Sequence, residues 1–220
     1  CFFSEPRAGC LSSARRNGRW AAAVAAAGRT TAVQTGDGVW ARTVGDPTPA
    51  FPTSMQNPTD AQLREDAQAL GERLRDAHDH LVTAESCTGG WIAKCLTDIV
   101  GSSDWFDCGM VVYSYEAKQA LLGVRPQTLE QHGAVSRETA IEMVSGALVN
   151  SGASVAVAVT GIAGPGGGSA DKPVGTVWIA WKRRGGYARA EVFHFDGDRE
   201  AVRRQTVGRA LQGIAALLPA

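Results

Sequence analysis

Three groups of residues in this sequence could do chemistry. The first is the stretch Val82-Thr83-Ala84-Glu85-Ser86-Cys87-Thr88-Gly89-Gly90, an apolar run ending in an acid, two nucleophile types and two glycines. Ser86 or Cys87 could attack an acyl carbon from such a place. A plain strand-to-helix turn with Ser86 or Thr88 as N-cap uses the same residue types. The helix N-terminus behind the stretch offers backbone N–H groups for a phosphate or a developing oxyanion. The G-x-S-x-G pattern is absent, because Ala84 and Thr88 hold its outer positions.

The second group is the base. A cysteine nucleophile normally needs a histidine, and none of His78, His80, His132 and His194 is placed by the sequence beside Cys87. A serine without histidine can use a lysine whose pKa is lowered by burial or charge. Of the four lysines, Lys94, Lys118, Lys172 and Lys182, only Lys118 sits just after the loop Tyr113-Ser114-Tyr115, in the first turn of a helix. An exposed helix lysine would look the same. The third group is the glycine-rich loop from Thr160 to Gly168. It lacks the G-K-[ST] ending of a Walker loop and G-x-G-x-x-G spacing, which speaks against ATP and NAD. Its backbone could still approach a ligand closely.

The elements that must position these groups follow from periodicity. Thr59 and Gln62 form a capping-box pattern, and Leu63, Ala67, Leu70, Leu74 and Ala77 then recur at helical spacing. Strands are expected at 81–84, 109–114 (buried), 154–159, 174–181 and 188–195, the last two as a hairpin around Arg184-Gly185-Gly186. Helices are expected from Trp91 to Ile99, over 116–122, after the Ser136 cap, and from Arg199 to Leu218 behind the Asp198 cap. Strands alternating with helices imply an α/β domain with a mostly parallel sheet. The loops at Glu85-Ser86, Tyr115 and Thr160-Gly161 then fall at strand C-termini, where ligands gather in such sheets.

Bulk properties exclude several classes. The 220 residues carry 22 basic and 22 acidic side chains, so there is no general attraction to nucleic acid or to an anionic membrane. No apolar run approaches the roughly 20 residues that span a bilayer. Five cysteines without a C-x-x-C pair read as reduced thiols in a cytoplasm, and no metal site is expected. Residues 1–54 hold six arginines, three acids and no lysine. They read as a targeting segment or, preferably, as an extension ahead of a start at Met55; either way they are expected to be disordered and without chemistry. Residues 55–220 then form the functional domain, with 16 basic and 19 acidic residues.

Six ordered blocks carry a resemblance. AESCTGG at 84–90, VVYSYEAKQALLGV at 111–124, HGAVS at 132–136, AVTGIAGPGGG at 158–168, KPVGTVWIA at 172–180 and GDREAVRRQTVGRAL at 197–211 resemble the CinA C-terminal-domain family. The resemblance implies a three-layer α/β/α sandwich with a mixed, mostly parallel sheet. It also implies a nicotinamide-nucleotide amidase, which hydrolyses nicotinamide mononucleotide to nicotinate mononucleotide and ammonia in pyridine nucleotide salvage. It places the nucleophile at Ser86, its lysine partner at Lys118 and an assisting tyrosine at Tyr115. Thr88, Gly89, Thr160, Gly161, Gly164 and Arg203 become substrate-binding residues. No metal or organic cofactor is required. The expected partner is the small nucleotide substrate, with homo-oligomerisation left open. The alternative is a non-catalytic nucleotide-binding module that recruits a partner protein; it would keep the glycine loop and Arg203 but not need Lys118.

Overall fold

The computed structural model describes residues 57–219, so the expectations for residues 1–54 lie outside the described residues. Helix α1 (Asp60–Asp76) opens with the expected capping box. The Thr59 hydroxyl accepts from the Gln62 N–H at 3.2 Å, and the Gln62 side chain accepts from the Thr59 N–H at 2.8 Å. Its buried face is Leu63, Ala67, Leu70 and Leu74.

Five strands follow: β1 (Leu81–Glu85), β2 (Phe106–Val111), β3 (Val155–Gly161), β4 (Thr176–Arg183) and β5 (Arg189–His194), in the order β2-β1-β3-β4-β5. β1 pairs in parallel with β2 and β3, while β4 runs antiparallel to both β3 and β5. Four of the five strands therefore point the same way, and β4 alone is reversed. The remaining helices are α2 (Trp91–Thr97), α3 (Tyr115–Leu122), α4 (Pro126–His132), α5 (Arg137–Val149) and α6 (Arg199–Ala215).

Successive side chains of a strand face opposite sides of the sheet. Val155, Val157 and Val159 of β3 pack with α1, α2 and α6 on one side; Ala156 and Ala158 pack with α3, α4 and α5 on the other. The result is the three-layer sandwich expected from the sequence. The small alanine side lets α5 lie close to the sheet, and α5 in turn meets the end of α3. No helix among the described residues is long and apolar enough to cross a membrane.

Two expectations need correction. The strand expected at 109–114 as a buried element is β2, which runs from Phe106 to Val111 and alternates between half-buried and exposed positions. Among the described residues it is an edge strand, paired with β1 alone. Helix α4 was not expected. Its Pro126 occupies a first-turn position, where proline's fixed φ and missing N–H cost nothing.

A steric test follows from α5. A Cβ at Gly146 would lie 1.8 Å from the carbonyl oxygen of Leu122. Alanine for glycine inside a helix ordinarily stabilises by about 0.5–1 kcal/mol. Gly146→Ala is expected to have the opposite sign and to destabilise by about 1–3 kcal/mol, seen as a lower midpoint in a denaturant titration. A midpoint at or above the wild type's would contradict this packing.

Candidate active site

Ser86 extends the sheet by one residue. Its N–H donates to the Val159 carbonyl at 3.1 Å, and the preceding Glu85 carbonyl accepts from Val112 N–H at 2.8 Å. The chain then turns into α2 through Gly89 and Gly90, both left-handed at φ +64° and +94°. Only glycine takes two such conformations in succession without strain. Ser86 is buried at the bottom of this turn.

Lys118 is fully buried in the first turns of α3. Its Nζ donates to the carbonyls of Val112 at 2.8 Å and Tyr113 at 3.2 Å, and lies 3.0 Å from Ser86 Oγ. These carbonyls belong to the residues just past the end of β2, where the ladder no longer uses them. A neutral amine has two N–H bonds and one lone pair. In that form the two carbonyls would take both N–H bonds and leave the lone pair facing Ser86 Oγ. Burial pushes Lys118 below its ordinary 10.5, with Cys87 acting weakly in the other direction. The other lysines are committed elsewhere: Lys94 to Asp98, Lys172 to the His132 carbonyl and Lys182 to Ser145. Cys87 is also buried, and burial pushes its thiol up to about 12. It stays a thiol at ordinary pH and is a poor nucleophile.

The turn between Ser86 and Gly90 is held from two sides. The fully buried Glu85 carboxylate accepts from Thr88 Oγ1 at 2.6 Å, Gly90 N–H at 3.0 Å, Ile92 N–H at 3.0 Å and Ala93 N–H at 2.8 Å. The α2 N-terminus is therefore occupied by Glu85 rather than offered to a ligand, contrary to the sequence expectation. Arg203 donates from Nε to the Cys87 carbonyl at 3.1 Å and from Nη2 to the Thr88 carbonyl at 2.6 Å. Its guanidinium also lies 5.2 Å from the Trp91 ring centroid. The N–H groups of Cys87 and Thr88 donate to no other residue among the described residues.

The structure brings together some expected residues and separates others. Ser86, Lys118, Thr88, Gly89 and Arg203 converge on one turn. Thr160 is buried nearby, but its hydroxyl donates to the Ala134 carbonyl at 2.8 Å. Tyr115 does not reach the lysine; its hydroxyl accepts from Ala134 N–H at 3.3 Å. Its position at the start of α3 sends it toward the loop before α5 instead. Gly161 owes its lack of a side chain to β4, since a Cβ there would lie 2.6 Å from Val177 Cγ2. The Gly164 carbonyl accepts from Arg199 Nη1 at 2.8 Å.

Three residues escaped the sequence reading. Glu85 was noted only as an acid in the turn. Tyr113 gives its carbonyl to Lys118, and its hydroxyl accepts from Arg199 Nη2 at 3.3 Å. Arg199 thus ties the glycine-rich loop to the lysine's loop. Its spacing of four from Arg203, which puts both on one face of α6, is the signal that could have found it. The two arginines line a cleft of about 600 Å³ with Gly89, Trp91 and Lys94, on the α2/α6 side of the turn. Among the described residues no His/Cys/Asp/Glu group is arranged to hold a metal ion.

Known proteins share this fold and much of this sequence. The family model "CinA C-terminal domain" matches residues 63–218. The chain is 53% identical over 156 residues to the nicotinamide-nucleotide amidohydrolase PncC of Escherichia coli, covering 70% of this chain and 93% of that protein. In longer relatives the same region is a part: the CinA-like protein of Geotalea daltonii is 56% identical over 131 residues, 60% of this chain and 32% of that one. Among solved structures, the competence/damage inducible protein CihA of Agrobacterium tumefaciens is 47% identical with a TM-score of 0.70, covering 74% of this chain and 99% of that one.

Two measurements test the site chemistry. Lys118 binds fewer protons in the folded chain than in the unfolded chain between its lowered pKa and 10.5. The wild type should therefore gain stability relative to Lys118→Met as pH rises through that window, and not below it. Denaturant midpoints of both proteins across pH 7 to 10.5 read the difference; a constant difference would mean that the amine is not shifted. For Cys87, the expectation is that Cys87→Ala keeps at least about a third of the activity, a change within about 1 kcal/mol.

Proposed function

This chain belongs to the CinA C-terminal domain family, and we propose that it is an amidohydrolase converting nicotinamide mononucleotide to nicotinate mononucleotide and ammonia by a Ser/Lys mechanism. The observation that carries the reading is the 3.0 Å contact between a buried lysine amine and a buried serine hydroxyl. It is supported by relatives of 53–54% identity that are named nicotinamide-nucleotide amidohydrolases.

Neutral Lys118 takes the proton from Ser86 Oγ as the oxygen attacks the carboxamide carbon. The carbonyl oxygen becomes an oxyanion, to which the N–H groups of Cys87 and Thr88 can donate hydrogen bonds. The Lys118 ammonium then gives its proton to the departing nitrogen, and ammonia leaves an acyl ester on Ser86. Lys118, neutral again, deprotonates a water that attacks the ester. Its proton returns to Ser86 Oγ as nicotinate mononucleotide is released. No metal or organic cofactor enters these steps. General-base help and an oxyanion donor are each worth about 10²–10⁴ and 10²–10³ in rate.

The substrate's phosphate calls for cations or backbone N–H groups. Arg199, Arg203 and Lys94 around the α2/α6 cleft supply the charge in this reading. Because Arg203 also holds the turn, its loss should affect kcat as well as KM. Tyr115, whose hydroxyl is engaged at Ala134, is given no proton-transfer step. A cytoplasmic role in pyridine nucleotide salvage completes the proposal. The non-catalytic nucleotide-binding reading leaves the buried Lys118–Ser86 pair without a purpose.

Ammonia release from nicotinamide mononucleotide and from free nicotinamide, measured side by side, tests the reading. The mononucleotide should be the far better substrate. Ser86→Ala and Lys118→Ala should each lower kcat by about 10³ or more, with the double variant little worse than either, since the two act as one unit. Additive losses, or equal turnover of the two substrates, would contradict the mechanism or the phosphate assignment respectively.

A further inference from the structure

Beside the nucleophile lies a charged group that the mechanism above does not use. Glu85 is the last residue of β1, directly before Ser86, and is fully buried. Among the described residues no arginine or lysine pairs with it, and what faces it is a set of hydrogen-bond donors. Oε2 accepts from Thr88 Oγ1 at 2.6 Å, Gly90 N–H at 3.0 Å and Ile92 N–H at 3.0 Å. Oε1 accepts from Ala93 N–H at 2.8 Å and, more weakly, from Thr83 Oγ1 at 3.3 Å. Burying a carboxylate without a counterion is costly, and a structure tolerates it only when the donors are fixed in place. Two of these donors, Thr88 and Gly90, belong to the turn that carries the nucleophile, and two more, Ile92 and Ala93, to the first turn of the helix behind it.

We propose that Glu85 is a positioning residue for the reaction. Its carboxylate occupies the α2 N-terminus and fixes the Ser86–Gly90 turn, so that the Cys87 and Thr88 N–H groups face the reacting carbonyl. The inference rests on the amidase reading for its reaction but not for its geometry. Gly90, the N-cap of α2, has no side chain to cap the helix. Glu85 does this from the adjoining strand, and its bond to Thr88 Oγ1 runs across the turn to one of the two residues with an unengaged N–H. Arg203 pulls the Cys87 and Thr88 carbonyls toward α6. Within a peptide unit, C=O and N–H point in opposite directions. Drawing the Cys87 carbonyl toward Arg203 therefore aims the Thr88 N–H away from it. Acid and arginine thus grip the two polarities of one short segment. A substrate anion could not replace the acid, because the helix N–H groups are already bound.

A carboxylate and a carboxamide have nearly the same shape but differ in what they offer. In Glu85→Gln, one of the two oxygens becomes an NH₂ that faces donors, so the grip on the turn loosens while the volume is kept. Thr88→Val is the second variant. It removes the bond across the turn but leaves the charge and the three backbone hydrogen bonds that cap α2, so the fold is retained.

The experiment measures kcat and KM for nicotinamide mononucleotide with the full chain of the wild type, Glu85→Gln and Thr88→Val, each normalised to the folded fraction from circular dichroism. Alongside it, the rate at which a small sulfonyl fluoride labels Ser86 is followed by intact-mass spectrometry. Positioning predicts that kcat per folded molecule falls about 10²-fold or more in Glu85→Gln and about tenfold in Thr88→Val, with KM within threefold, and that Ser86 labelling slows in both. In Thr88→Val the pH midpoint of the activity should not move, since that variant leaves every charge around Lys118 in place. A role confined to folding predicts a lower melting temperature with kcat per folded molecule and labelling rate unchanged, and that result overturns the proposal. If Glu85→Gln does not fold, Thr88→Val decides by the same criteria. If the wild type labels at Ser86 but releases no ammonia from the mononucleotide, the substrate reading fails, and the labelling rates still decide for or against Glu85.

Discussion

The functional region depends on one contact, the enclosure of the Lys118 amine between two backbone carbonyls and Ser86 Oγ. The amine is out of water, so its charged form loses hydration and its pKa falls. The carbonyls of Val112 and Tyr113 orient it without neutralising it as a carboxylate would. A carboxylate partner would hold the proton on the lysine and disable it as a base. The site supplies hydrogen-bond acceptors with only partial negative charge, which fix direction while leaving the amine able to release its proton.

The sheet makes this contact available. β2 leaves its ladder at Val111, so the next two carbonyls point into the gap between β2 and α3. The lysine on α3 folds back onto them. β1 continues one residue further than its last assigned position, through Ser86 N–H and the Val159 carbonyl. Ser86 and Lys118 therefore come from just past the ends of two neighbouring parallel strands. Beneath them, the alternation of valine and alanine along β3 sets the distance of each helical layer. Bulky residues face α1, α2 and α6, and small ones face α5, where Gly146 already touches the Leu122 carbonyl. Movement of α5 would be felt at the C-terminal end of α3, the helix that carries Lys118.

Around the nucleophile the charges are divided by polarity of the backbone. Glu85 takes N–H groups, and Arg203 takes carbonyls. Arg199 links the glycine-rich loop to Tyr113 by the same logic, with one nitrogen on the Gly164 carbonyl and the other on the tyrosine hydroxyl. The arginines of α6 therefore serve as braces for three loops as well as a source of positive charge in the cleft.

The sequence by itself determined the alternation of strands and helices, the caps at Thr59, Ser136 and Asp198, and the pairing of a serine turn with a lysine loop at one sheet edge. These follow from local rules: periodicity, capping chemistry and glycine at left-handed positions. They were legible because each depends on residues within a few positions of one another. The fate of Tyr115 and Thr160 was not legible, since both hydroxyls are settled by Ala134, a residue distant from each in sequence. Nor was the early end of β2, which depends on its place at the sheet edge. The tertiary structure alone decided that Glu85, not a ligand, fills the α2 N-terminus, that Arg203 spends its nitrogens on loop carbonyls and Arg199 on a loop carbonyl and the Tyr113 hydroxyl, and that Lys118 is buried against two carbonyls with its pKa lowered. Hydrogen-bond partners and desolvation are properties of the packed chain, and one-dimensional order does not contain them.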